Sequence, residues 1–170
     1  MNFLELSKKR YSCRKFSDQE VPSELLEQII QAGINAPTAV NTQPFHLFLM
    51  ESEKAIETVN ASTPFGFGCK HFILVGANKE ECYVRKFDQR NFADVDASIV
   101  ATHIMMEIED CGLSTTWVGH FDPKVIQDVY PETKDLDLIA IFPIGYAASD
   151  AKPSERHEVR KSSDELVTKL

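Results

Sequence analysis

A single domain mixing helices and strands is the fold class the sequence predicts, and three observations carry it. The chain has 170 residues, enough for one ordinary domain with a sizeable core. Its 43% apolar and 26% charged residues sit near globular averages, which argues against disorder. Apolar residues at helical spacing (Leu25, Leu26, Ile29, Ile30, Ile34) alternate with short strand-like runs such as 45–50, 71–75 and 138–146. No repeat, low-complexity stretch or linker divides residues 1–170, so they read as one domain.

The elements follow in order. Asn2 and Glu5 form a capping-box pattern for a short first helix, whose apolar face is expected to be Phe3, Leu4 and Leu6. Arg10-Tyr11-Ser12-Cys13-Arg14 comes next, with Phe16 expected to plug it into the core. Val21-Pro22 opens a second helix that must end before Pro37, because the residue ahead of proline leaves helical space. Residues 36–44 are small, polar and pinned by Pro37 and Pro44. A strand at 45–50, a helix at 53–59, a Pro64/Gly66/Gly68 loop and a strand at 71–75 come next. Residues 78–93 have no clean period and read as an excursion, in the manner of a lid or pocket wall.

Asp94 or Asp96 is expected to open the longest helix, which runs to about Cys111 and stops at Gly112. Its small residues Ala97, Ser98 and Ala101 would let another helix approach closely. A turn and strand at 112–119 lead to a helix capped by Asp122 with Pro123 at its first position. After the 138–146 strand comes a polar tail with Arg156, His157 and Arg160, and a second capping box from Ser162 and Glu165.

Eighteen Lys and Arg against 26 Asp and Glu leave a net charge of −8, which argues against a nucleic-acid partner. The four cysteines are widely spaced without a C-x-x-C, as in reduced thiols. The N-terminus is amphipathic rather than apolar, and the longest apolar run, 138–148, is short and contains Pro143. The expectation is a soluble cytoplasmic protein that neither enters a membrane nor carries a signal peptide.

Several chemistries find no support. The five histidines are isolated, with no ligand spacing for a metal. There is no G-x-S-x-G and no Walker loop, and Gly66-Phe67-Gly68 is too short for a dinucleotide fingerprint. Without an acid–base or nucleophile set, and so with no catalytic residue to name, the reactive chemistry is expected from a cofactor.

Two segments could hold one. If residues 10–14 are extended, Arg10, Ser12 and Arg14 point to one side as plus, hydroxyl, plus. That is either a cradle for a dianionic phosphate or a solvated basic loop. Cys13 between two arginines is read as a buried, inert thiol. Asn41 and Gln43, two apart, would aim both amides the same way on an extended backbone, as a binding loop or a rigid polar connector.

Taken together the chain resembles the nitroreductase family nearly end to end. The carriers are R-x-S-x-R at 10–14, A-P-T-x-x-N-x-Q-P at 36–44, an aspartate-led helix into G-L-x-T-x-W-V-G ending at Gly119, and Gly145-Tyr146 before a basic tail. The resemblance implies an α+β fold, a mainly antiparallel central sheet wrapped by helices and built as an intertwined homodimer with the long helix at the interface. It implies FMN between subunits. Arg10, Tyr11, Ser12 and Arg14 would take the phosphate, ribityl and pyrimidine ends. Pro37, Thr38 and Asn41 would reach the ring from the partner, with Gln43 also a cofactor contact. Backbone at Val118 and Gly119 would lie near flavin N5, and Arg156 or, by preference, Arg160 would complete the phosphate site. The implied activity is ping-pong hydride transfer from NADH or NADPH, through FMN, to nitroaromatic, quinone or related acceptors. A flavin-binding sensor with little turnover, or a flavin-destructase or deiodinase branch, are the alternatives.

Overall fold

The computed structural model describes residues 2–170. Helix α1 (Phe3–Lys9) carries the expected capping box, with Asn2 Oδ1 accepting from Glu5 N and the Glu5 carboxylate accepting from Asn2 N. Its apolar face is narrower than expected. Leu6 is buried, whereas Phe3 and Leu4 are exposed, because a seven-residue helix at the surface has room for one anchor. Helix α2 (Ser23–Ile34) starts after Pro22 and buries Leu26, Ile29 and Gly33, while Ile34 stays exposed.

Strands β1 (Phe45–Met50) and β2 (His71–Ala77) flank α3 (Glu53–Ser62), whose cap is Ser52. The 78–93 excursion is a small hairpin of β3 (Val84–Arg85) and β4 (Arg90–Asn91), tied by the Arg85–Asp88 ion pair and by both arginines over the Phe92 ring. Its tip presents Phe87 at 97% exposure. Helix α4 (Ala93–Asp110) begins one residue before Asp94 and three before Asp96, the two expected openers, and Asn91 Oδ1 accepts from Ala93 N at 3.0 Å. Then come α5 (Pro123–Val129), capped by Asp122, the strand β5 (Asp137–Ile144), and α6 (Ser163–Leu166) with its Ser162/Glu165 capping box.

The central sheet has the order β1-β2-β5, antiparallel throughout. The 112–119 segment, expected as a turn and then a strand, meets the sheet through isolated bridges, Val118 to Ile141 in β5 and Ser114 to Gly145 just beyond it. Residue 12 pairs in parallel with Thr115, so 10–14 forms the outermost edge beyond β5.

Alternation along β2 splits the core in two. Ile73, Val75 and Ala77 face α2 and α4, while Phe72 and Leu74 face the α3 and α5 side. Phe16 packs on the second cluster, as expected. The small residues Ala97 and Ala101 do admit a helix, but it is α2 of the same chain. Gly33 makes the approach possible, since a Cβ there would stand 2.8 Å from Ile104 Cγ1. The outward side of α4 carries Val95, Ile99, Thr102, His103 and Met106 along open grooves of about 420 and 530 Å³, the first reaching Phe3 and Leu6. Among the described residues no helix is long and apolar enough to cross a membrane.

Candidate functional site

At the end of α1 the chain turns extended at Arg10 (φ −56°, ψ 125°) and is stitched to the sheet by Cys13 N donating to Thr115 O at 2.9 Å. Extended backbone sends alternate side chains to opposite sides. Cys13 is fully buried, its thiol donating to Lys15 O (3.2 Å), and it takes a bond from the Tyr11 hydroxyl (3.8 Å). Burial, then the contact with Cys13, push the Tyr11 phenol up to about 12, so it stays neutral. Arg10, Ser12 and Arg14 face the other way, toward solvent.

There they border a cavity of about 270 Å³ whose far wall is the tail: Ser154, Arg156, His157 and Arg160. The tail is docked by His157, whose Nε2 lies 3.2 Å from Lys8 O and therefore carries the proton. Its ring meets Tyr11 edge-on at 6.3 Å. Four guanidiniums thus share one cavity, and among the described residues none of them pairs with a carboxylate. Arg14 Nη1 donates to Ser12 O (3.1 Å), and Arg160 Nη1 donates to His157 O and Val159 O (2.6 and 2.8 Å). The side chains of Arg10 and Arg156 make no such bonds among the described residues, which leaves Arg156 freer than Arg160 to meet a ligand. Thr115, whose strand pairs with Ser12, buries a hydroxyl that has no partner.

The second segment departs from expectation. Past Thr38 the backbone is not extended. Val40 (φ 53°) and Asn41 (φ 57°) are left-handed within a tight turn spanning Ala39–Asn41, and so is Gln43 (φ 51°) just after it. Asn41 and Gln43 are therefore not set side by side by strand alternation; instead Gln43 Nε2 donates to Asn41 O at 3.2 Å. Non-glycine residues in this region cost about 1–3 kcal/mol each, and a β-branched valine is a rare occupant. Bonds hold the turn: Thr38 Oγ1 accepts from Gln43 N (3.0 Å), Ala39 O from Thr42 Oγ1 (3.1 Å), and Asp96 Oδ1 on α4 from Ala39 N (2.9 Å).

The two segments sit at opposite ends of α4. Lys9, beside Arg10, pairs with the buried Glu109 at 2.9 Å, and the turn is bonded to Asp96. At about 1.5 Å of rise per residue, those two attachment points lie ~20 Å apart along the helix. Val118 and Gly119 continue the Thr115 segment paired to Ser12 but do not line the arginine cavity; Val118 is buried and bridged to Ile141, and Gly119 is exposed. In the sequence His157 is one residue of a polar tail, Ser154 carries no signal, and Asp96 is a helix opener. Only long-range docking reveals the first pair, and only the turn's conformation reveals the third.

The chain is similar to several known proteins. A family model described as the nitroreductase family matches residues 7–64. A nitroreductase family protein from Clostridium difficile 630, known from a crystal structure, is 34% identical and superposes at a TM-score of 0.90, covering 99% of this chain and 98% of that one. A relative from Methanothermobacter thermautotrophicus, provisionally named an NADH dehydrogenase/NAD(P)H nitroreductase, is 27% identical over 88% of this chain and 80% of its own. A provisionally assigned nitroreductase from Exiguobacterium sibiricum, solved in complex with FMN, shares the fold at a TM-score of 0.85 with 18% identity, covering 100% of this chain and 98% of that one.

Proposed function

The chain belongs to the nitroreductase family, and from that premise we propose that it is an FMN-dependent oxidoreductase drawing hydride from NADH or NADPH. The observation that carries the reading is the cavity of four unpaired guanidiniums in a chain of net charge −8. A local positive site opposing the global charge suits a specific anion, and planar guanidiniums suit phosphate oxygens. The Exiguobacterium relative's FMN and the archaeal relative's provisional name support the choice of ligand and donor.

The residues present fit a flavin mononucleotide. Arg10, Arg14 and Arg156 would hold its phosphate, with Ser12 and Ser154 as hydroxyl partners and Arg160 closing the tail side. The exposed Gly119 backbone and the turn with Pro37, Thr38, Asn41 and Gln43 would border the ring. When bound, FMN supplies two-electron chemistry, accepting hydride from the nicotinamide and returning it to a small acceptor such as a nitroaromatic or quinone. The chain's own part is to bind, orient and exclude water.

One chain ties its arginine segment and its turn to opposite ends of α4, at attachment points ~20 Å apart along the helix, and this separation supports a site in which a second copy supplies the turn. The uncovered apolar side of α4, with Val95, Ile99 and Met106, is where we place that copy. The hairpin tip at Phe87 would wall the acceptor pocket. The test is direct: titrate the purified protein with FMN, then add NADH or NADPH in a stopped-flow spectrometer. Flavin absorbance should appear with the protein and bleach with nucleotide. A protein that binds no flavin rules out the reading, and bound flavin that resists bleaching reduces it to a flavin carrier.

A further inference from the structure

Asp96 is 1% exposed, and its two oxygens are used unequally. Oδ1 accepts from Ala39 N at 2.9 Å, while Oδ2 is buried without a hydrogen-bond partner. A buried carboxylate with one bond is a costly choice for a helix position, offset in part by the positive end of the α4 dipole. Native structures keep such groups where they perform a task. The turn shows what that task is. Hydrogen bonds within 38–43 join the turn to itself: Asn41 N and Gln43 N go to Thr38, and Thr42 to Ala39. Among the described residues, the bond to Asp96 is the one from 38–43 that crosses to another element. It ties three left-handed residues to the longest helix of the fold, and Val40, 78% exposed, contributes no burial that would hold them instead.

We propose that Asp96 is a positioning residue: through Ala39 N it fixes the turn in its left-handed form against the ring of the flavin, and so governs ring binding separately from phosphate binding. This rests on the flavin reading above, which places the turn at the ring. The arginines and the turn attach to opposite ends of α4, so the two halves of the nucleotide are served by separate supports.

The test compares FMN with riboflavin, which lacks the phosphate, in fluorescence titrations of the full chain, alongside amide hydrogen exchange over 38–43. Asp96→Ala should weaken both flavins by the same factor, ~10-fold or more, the range for a hydrogen bond to a charged acceptor. Arg10→Ala should weaken FMN and leave riboflavin unchanged. Asp96→Asn keeps an oxygen for Ala39 N and puts its amide where Oδ2 has no partner, so it should restore riboflavin affinity and slow exchange. If Asp96→Ala does not fold, Ala39→Pro removes the donor from the other side; Thr38 is already extended (φ −129°, ψ 160°), as a residue before proline must be. It should weaken riboflavin likewise. Riboflavin affinity unchanged in these variants overturns the proposal, even where exchange quickens. A wild-type protein that binds neither flavin overturns the functional reading instead, and exchange at Ala39 then still decides whether the clamp exists.

Discussion

Residues 10–14 and 38–43 are both short segments with polar side chains at the surface, yet they are held by different means. The first is ordinary extended backbone on a sheet edge, and its positions face outward because strands alternate. Its information lies in residue type: arginine, hydroxyl, arginine. The second is strained backbone, with information in conformation, and a buried carboxylate some distance along the sequence enforces it. A charge site can be assembled from unstrained parts, because guanidiniums reach. A surface for a planar ring has to be shaped, and shaping a loop costs backbone energy that other groups must offset.

The comparison breaks most readily at the arginines. Arg10→Ala or Arg14→Ala should weaken FMN by roughly 1.5–3 kcal/mol each, the range for a charge-assisted bond; fluorescence titration giving wild-type affinity would remove that segment from the site. Below them lies an apolar floor that responds to alkali. Burial raises Cys69 from 9.0 to about 12 and Tyr11 from 10.0 to about 12. Above pH 9.0 the unfolded chain sheds protons that the folded chain retains, so this stability is complete below pH 9.0 and is lost as pH rises toward about 12. Urea melts across that window should show the decline, and Cys69→Ser should remove part of it.

Smaller effects belong to the turn. Val40→Gly should raise stability by about 1 kcal/mol, since glycine takes a positive φ without a Cβ clash and the exposed valine packs on little. A lower melting temperature would mean the valine contributes something other than strain. Smallest of all, Phe87→Ser at the hairpin tip should change folding stability by no more than about 0.5 kcal/mol, while the acceptor KM shifts if the tip walls the pocket.

Much of the fold could be read ahead of the structure because local rules determine it. Both capping boxes, the Pro22 and Asp122-Pro123 helix starts, and the three sheet strands follow from spacing within a few residues. The cluster's arginines were visible by type, but its far wall was not, because His157 reaches Lys8 across most of the chain. The left-handed turn was hidden for a physical reason: valine is among the last residues expected at φ 53°, and only a remote carboxylate makes it tolerable. The β3–β4 hairpin was hidden because two-residue strands carry no period, and their order comes from arginines stacked over Phe92.

The length of α4 has a genetic consequence. If each site draws its arginines from one chain and its turn from the other, two differently damaged chains can rescue one another. A subunit carrying Arg10→Ala and a subunit carrying Asp96→Ala, each impaired alone, would meet in mixed pairs having one doubly damaged site and one intact site. Random assortment makes about half of all pairs mixed, which returns about a quarter of the sites to wild-type composition. Co-expression of the two alleles would then restore flavin binding that neither restores separately, and a helix that holds its two attachment points ~20 Å apart would show itself as complementation in a cross.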